Sequence, residues 1–388
     1  MAVELKDAAQ REVDLATDAL IELSHLVHAH PELNFEEEQS AAFVAGALDA
    51  GGLSVETGVC DLPTAFVATA GSGPLTLAIC AEYDALPGIG HACGHNIIAA
   101  AAVGAGLALA PIADDLGITV KVIGTPAEEG GGGKILMLER GAFDGVHAAM
   151  MVHPGPFAFD TVEATTLAVA HLDVRYHGKS AHASGFPQAG VNAADAITVA
   201  QVAIGLLRQH IAQSDRIHGI VTDGGDAPNV VPEHAAGTWY VRAKTLERLA
   251  KLEPRVHACF QAGALATGCT LDVTSKSKPY SEFRHDDALG SLYTANAEAL
   301  GRECRDVPRA VRERYAGSTD MANVSLALPV IHPNLGLDCL PAGNHQPEFT
   351  GQCITGTADK AVRDGALAMA WTCIDAATSA TERERLLA

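Results

Sequence analysis

Two adjacent carboxylates, Glu128 and Glu129, stand between an apolar run at 118–123 and four glycines at 130–133. Adjacent acids repel, and neither is readily buried unless a cation lies between them. A metal ion meets that need. One carboxylate then binds the metal while its neighbour handles the proton of an attacking water. The glycines leave room for close approach of a substrate. Taken alone, the stretch reads more readily as a solvated turn. It is a poor phosphate loop: Lys134 is followed by Ile135 instead of Ser or Thr, and Glu128 stands where the first glycine of such a loop belongs.

Residues suited to the same chemistry follow other apolar runs. The run at 74–81 leads into Glu82-Tyr83-Asp84 and then into Cys93 and His95, two apart in a Gly-containing turn. The run at 146–152 ends at His153, and His345 lies far along the chain in Gly343-Asn-His-Gln-Pro-Glu348. Thiol, imidazole and carboxylate donors in this mixture suit Zn(II) or a neighbouring divalent ion. Cys93, His95, Glu129, His153 and His345 are more donors than one catalytic zinc needs, and a two-metal site would use them. Asp84 reads as an acceptor that holds a ligand's orientation. His25, His28 and His30 fall at a helix end, where imidazolium suits the dipole, and are expected to be structural. His171, His210, His218, His234, His257 and His285 read as surface or packing residues. His182, in the small-residue loop Gly178-Lys-Ser-Ala-His-Ala-Ser184, is open to either role.

The elements that must position these residues follow from hydrophobic period. Helices are expected at 3–29, 34–51 and 96–109, the first ended by His30-Pro31. The three apolar runs are strands buried on both faces and separated by helices, which predicts an α/β domain with an open, mostly parallel sheet. Ligands gather at the carboxyl ends of such strands, where the Cys, His and Glu residues lie. From about 166 the pattern becomes strand (166–176), helix (191–213), strands (217–223 and 235–242), helix (246–266) and strand (270–273). That βαββαβ order predicts an inserted ferredoxin-like domain at 166–276. The catalytic domain is then discontinuous, 1–165 and 277–388, with further helices at 285–301 and 357–378.

Composition limits the partners. The chain has 388 residues and a formal net charge of −21, which argues against nucleic acid or an anionic membrane surface as partner. Nine cysteines form no CxxC pair and read as reduced thiols in a cytoplasmic protein. The N-terminus lacks the basic start and apolar core of a signal peptide. The apolar run at 97–112 is read as a buried helix, too short to span a bilayer.

Several motifs in combination resemble one family. Asp84-Ala-Leu-Pro87, His91-Ala-Cys-Gly-His95, Thr125-Pro-Ala-Glu-Glu-Gly130, His177-Gly-Lys-Ser-Ala-His182 and Gly225-Asp-Ala-Pro-Asn-Val-Val-Pro232 resemble those of the aminoacylase and carboxypeptidase-like dinuclear metallohydrolases, which include auxin-conjugate and hippurate hydrolases. The likeness runs from His30 to Glu348. Asn96, where those enzymes carry Asp, together with Glu82-Tyr83, Gly317-Ser-Thr-Asp320 and Asn323-Val-Ser325, is similar to the aminobenzoyl-glutamate hydrolase B subunit and β-alanyl-lysine dipeptidase branch.

The resemblance implies a metallo-amidohydrolase with two divalent ions, zinc or manganese, held by Cys93, His95, Glu129, His153 and His345. It implies Glu128 as the general base that later protonates the leaving amine. It also implies His182 as an oxyanion donor acting across a homodimer formed through the inserted lid. Asn229 and Arg242 match positions that contact substrate, and the Arg fork suits a carboxylate; as a strand residue, Arg242 reads equally as a plain exposed side chain. The substrate expected is an N-acyl amino acid or small dipeptide, with β-alanyl or aminobenzoyl-glutamate conjugates as the alternative. A metal-loaded binding protein without turnover is the alternative from another class.

Overall fold

The computed structural model describes residues 2–388. The chain divides into two compact units, Met1–Thr165 with Phe283–Ala388, and Thr166–Glu282.

The first unit is built on a six-stranded sheet. Its strands are β1 (Ser54–Thr57), β2 (Phe66–Ala70), β3 (Leu75–Ala81), β4 (Ile118–Gly124) and β5 (Ala148–Met150), with Val330–Ile331 near the end of the chain as the sixth, in the order β1-β2-β4-β3-β5 and then Val330–Ile331. The four strands from β4 onward are parallel, while β1 and β2 are antiparallel additions at one edge. The fold is therefore α/β with a mostly parallel sheet, as the apolar runs predict. Central β3 is buried at every position but Thr76, because helices cover both faces. Short β1 is mostly exposed, which is why no apolar run announces it.

Helix His95–Leu109 is the core of the helical layer, packed against helices Ala2–Ala29 and Gly356–Thr378. Its Ala- and Gly-rich sequence permits that approach. A Cβ on Gly104 would come within 2.8 Å of both Ala366 Cβ and Leu20 Cδ1. The expected length of this run needs correction. The apolar helical stretch continues through short turns to Leu116, 22 residues in all, long and apolar enough to cross a membrane by length and composition. What marks it as a core element is its packing, with 83% of its most apolar window buried inside the protein.

Three other boundaries differ from the sequence reading. The helix expected from residue 34 begins at Glu38. Phe35 takes a left-handed φ of 63°, incompatible with helix, and the Glu32 carboxylate accepts the Gln39 and Ser40 N–H groups at 3.0 and 2.8 Å. The run at 146–152 closes at Met150, and His153 opens a separate strand, β6 (His153–Gly155), paired in parallel with Asn334–Gly336. The helix expected to reach 213 ends at Leu207.

The second unit has β7 (Ala168–His177), β8 (Arg216–Asp223), β9 (His234–Ala243) and β10 (Thr270–Ser275), with helices Ala193–Leu207 and Leu246–Thr267 between them. The sheet order β10-β7-β9-β8, all antiparallel, is that of a ferredoxin-like βαββαβ unit. Strand β9 alternates buried and half-buried along its whole length, because one face packs on the helices. The chain stays with this unit through Glu282: Tyr280 pairs with Val169, and the Ser281 carbonyl accepts the Thr166 hydroxyl at 3.2 Å.

Asp160 ties several distant segments of the first unit together. Its carboxylate accepts from Arg302 Nε at 2.6 Å, Arg302 Nη2 at 2.7 Å and the Gly336 N–H at 2.7 Å, while Arg302 Nη1 reaches Asp364 at 3.1 Å. Asp160 is 1% exposed. Removing one partner of a buried, forked pair leaves an uncompensated charge, so Asp160→Ala is expected to cost about 3–5 kcal/mol. Denaturant unfolding measures this; a loss below about 1 kcal/mol, the scale of an exposed pair, would show that the pair does not hold the segments together.

Candidate metal centre

Each parallel strand of the first unit runs into a chemically active segment at its carboxyl end. Glu82 and Asp84 follow β3, Glu128 and Glu129 follow β4, His153 follows β5, and His332 follows Val330–Ile331. The parallel direction brings these ends to one edge of the sheet. Cys93 joins them from the loop between β3 and its helix, and His95 from the first position of that helix. Gly94 makes that turn possible: its φ is 77°, and a Cβ there would sit 2.3 Å from Pro154 Cγ. His345 arrives on a loop whose own N–H donates to the Ala92 carbonyl at 2.8 Å, and its φ is 65°.

The donors expected from the sequence come together. Cys93 Sγ lies 3.4 Å from both His153 Nε2 and His345 Nε2. His345 Nε2 lies 3.4 Å from Glu129 Oε1. His95 Nε2 lies 3.8 Å from Glu129 Oε1 and 4.0 Å from Glu128 Oε2. Ligand atoms fall within 4.8 Å of one another in the groups Cys93–His95–His153, Cys93–Glu129–His345 and His95–Glu128–Glu129. Glu128 is only 6% exposed, which sets aside the solvated turn.

Hydrogen bonds orient these donors. Asp84 Oδ1 accepts the His95 Nδ1–H at 2.9 Å, and Asp84 Oδ2 accepts the Glu129 N–H at 2.9 Å. Burial opposes a charge on the His95 ring, but Asp84 and then Glu82 hold it well above its usual range, so a bound cation would displace a proton from Nε2, which is buried without a hydrogen-bond partner. His153 Nδ1–H donates to the Pro154 carbonyl at 2.9 Å, leaving its Nε2 lone pair towards Cys93. Burial, then the His95 charge, holds the His153 imidazole below its usual range and therefore neutral. Burial pushes the Cys93 thiol well up, with the Glu129 charge adding to it. Burial also pushes the Glu128 carboxyl well up, reinforced by Glu82 and Glu129. An imidazole nitrogen without a hydrogen-bond partner, a buried thiol and two crowded carboxyls are the donor set of a divalent cation, which would satisfy all of them at once.

The other expected residues lie elsewhere. His182, Asn229 and Arg242 belong to the second unit. The His182 loop and the Asn229 loop pair there, with the Ala183 N–H on the Asn229 carbonyl at 3.0 Å. Arg242 is half-buried on β9, its Nε donating to His218 at 3.2 Å and its guanidinium 5.7 Å from the Tyr240 ring centre. His25 pairs with Asp359 at 2.8 Å, and His28 and His30 bond backbone carbonyls, all structural contacts.

Residues that the sequence reading passed over also reach the centre. Glu82 Oε2 lies 3.5 Å from His95 Nε2, and fully buried Lys134 bonds both Glu82 and Asp320. Glu37 accepts the Ala127 N–H at 2.8 Å, and its carboxyl is raised to about 7, chiefly by burial and then by Asp84. His332 packs on His153, with ring centres 5.6 Å apart. Lys134 carried a usable signal, a lone charge directly after the glycine run.

Residues 78–353 match the model of peptidase family M20/M25/M40. The Xaa-Arg dipeptidase of Mus musculus is 38% identical, covering 96% of this chain and 88% of that protein. The p-aminobenzoyl-glutamate hydrolase B subunit from Escherichia coli is 36% identical over 63% of this chain and 54% of its own length. Among solved structures, an aminobenzoyl-glutamate utilization protein from Klebsiella pneumoniae shares the fold at TM-score 0.72, 20% identity and coverage of 93% and 97%. A dinuclear metal binding peptidase from Bacillus subtilis does so at TM-score 0.68, 22% identity and coverage of 93% and 99%. With the family match spanning most of its length, the chain belongs to peptidase family M20/M25/M40 and is a metal-dependent hydrolase of amide bonds in small conjugates.

Proposed function

We propose that this hydrolase is a dinuclear dipeptidase that releases a cationic amino acid from a small dipeptide. The observation that carries the metal reading is His95 Nε2, buried, unpartnered and facing three carboxylates at 3.5 to 4.0 Å. Two ions fit because Cys93 belongs to two donor groups, one with His95 and His153 and one with Glu129 and His345. Zinc, favoured by the thiol and imidazoles, or manganese supplies Lewis-acid polarisation of the scissile carbonyl and a lowered pKa for water.

The remaining steps belong to the chain's own groups. Glu128 takes the proton of the attacking water and returns it to the leaving amine, a role suited to a carboxyl that burial makes basic. His182 Nδ1 accepts the Gly185 N–H at 3.0 Å, which leaves Nε2–H as the donor for the developing oxyanion. Asn229 and Arg242 receive the substrate's polar end, the Arg fork taking the carboxylate. The cationic leaving residue is supported by the likeness to Xaa-Arg dipeptidases over 96% of the chain, against 63% for the aminobenzoyl-glutamate relative. A net charge of −21 attracts such a substrate.

Two copies are proposed to pair through the second unit, so that the His182 loop of one serves the site of the other. Support comes from the sheet edge: β8 is the terminal strand, and Ile220 and Val221 on it are 66% and 45% exposed. A reducing compartment such as the cytoplasm is proposed from nine cysteines that are all free.

Amino-acid release tests the reading. After chelation and reloading with zinc or manganese, the parent is expected to hydrolyse β-alanyl-lysine and Xaa-Arg dipeptides ahead of aminobenzoyl-glutamate and N-acyl amino acids. Glu128→Gln should keep the same metal content while turnover drops about 10²–10⁴-fold; parent-like turnover removes Glu128 from the mechanism. Ile220→Lys should convert a dimer into a monomer in sedimentation. Both it and His182→Ala should lower kcat by about 10²-fold or more, and a fully active monomer would refute the shared site.

A further inference from the structure

A second charged cluster adjoins the metal centre. Glu82, Glu128 and Asp320 each bring a carboxylate oxygen to within 4.8 Å of the others, and all three residues are buried. Three buried carboxylates need a counter-charge. Lys134 supplies one, with its side chain fully enclosed. Its Nζ donates to Asp320 Oδ1 at 2.9 Å and to Glu82 Oε1, and its backbone N–H donates to Asp320 Oδ2 at 2.9 Å. Asp320 thus holds one residue by both backbone and side chain.

The position of Lys134 in the chain gives this clamp a purpose. The loop at 125–132 carries Glu128 and Glu129. Its front end is held by Thr125, whose N–H and hydroxyl donate to the Ala81 carbonyl at 2.8 and 3.0 Å, and by the Ala127 N–H on Glu37. Ala127 there adopts a φ of 59°, a conformation that surrounding contacts must impose. Behind the two acids come four glycines, the residues that lose most freedom on ordering. The Glu129 N–H is held by Asp84, and the Gly131 and Gly132 N–H groups turn back onto the Ala127 carbonyl at 3.0 and 2.8 Å, but the glycines carry no side chain to anchor. Lys134, second residue of the helix Gly133–Glu139, is the first after them that does.

We propose that Lys134 is a positioning residue, an internal ammonium clamped by Asp320 and Glu82 that fixes the back end of the Glu128 loop and lets Glu128 sit beside two further carboxylates. The inference rests on the reading of Glu128 as general base, but its structural half can be measured without turnover. Lys134→Met alone strands two buried carboxylates and risks unfolding. The triple variant Lys134→Met/Glu82→Gln/Asp320→Asn removes the charges of the clamp with side chains of matched size and leaves Glu128 in place. Asp320→Asn alone is the gentlest change, since it keeps the shape and one acceptor.

Hydrogen exchange on the metal-free chain reads the clamp directly. In the triple variant, amides at 127–133 should exchange at least about tenfold faster, with core amides of the same unit unchanged, and Asp320→Asn should fall between it and the parent. In the metal-loaded protein, kcat for dipeptide hydrolysis should fall about 100-fold with KM within about threefold, the signature of misplaced catalytic groups. Parent-like exchange at 127–133 in both variants overturns the proposal, and so does a parent-like kcat in the triple variant. A parent enzyme that hydrolyses no dipeptide refutes the proposed function instead, and exchange still decides whether Lys134 holds the loop.

Discussion

The Asp84 carboxylate is the contact on which the centre depends. One oxygen takes the His95 ring proton, and the other takes the backbone N–H of Glu129, 45 residues further along the chain. A single fully buried side chain therefore orients an imidazole and places a carboxylate-bearing loop. Burial alone would push Asp84 up, but the His95 ring charge and its hydrogen bond outweigh it and hold the carboxyl below its usual range. An ionised Asp84 also keeps the Nδ1 proton in place, so the other nitrogen of His95 is available to a cation.

The parallel sheet makes this contact possible. Strands β3 and β4 lie side by side in register from Leu75–Ile118 to Ala81–Gly124, so the residues that follow them emerge together. Asp84 and Glu129 are close because both come just beyond that paired end. The tight helix layer behind, with Gly104 against Ala366 and Leu20, keeps His95 at the start of a helix that cannot shift. Stability and chemistry are thus linked: the apolar strands and Ala-rich helices fix the edge, and the edge collects the polar groups.

The charge balance at that edge is unusual for a protein interior. Glu82, Asp84, Glu128, Glu129 and Asp320 are set against Lys134 and a group of histidines. Divalent cations would offset the excess negative charge, whereas Lys134 does so permanently on one side. The two kinds of cation divide the carboxylates between a replaceable centre and a fixed clamp, so that the loop keeps its place when metal exchanges.

The sequence by itself determined most of the architecture and marked the residues that meet at the candidate metal centre. Apolar runs of strand length, separated by 3.6-period helices, specify a parallel sheet, and the βαββαβ order specifies the second unit, because both signals are local and periodic. Cys93, His95, Glu129, His153 and His345 were legible because thiol, imidazole and carboxylate at strand ends are chemically distinctive. Exposed β1, the left-handed Phe35 that delays a helix, and the break at Met150 were not legible, since each is decided by neighbours distant in the chain. Only the tertiary structure revealed Glu82, Lys134 and Asp320 as one cluster. Lys134 and Asp320 are 186 residues apart, and nothing local to either names the other as its partner. Burial, partner and charge balance are properties of the packed edge, and they exist only once the strands have brought it together.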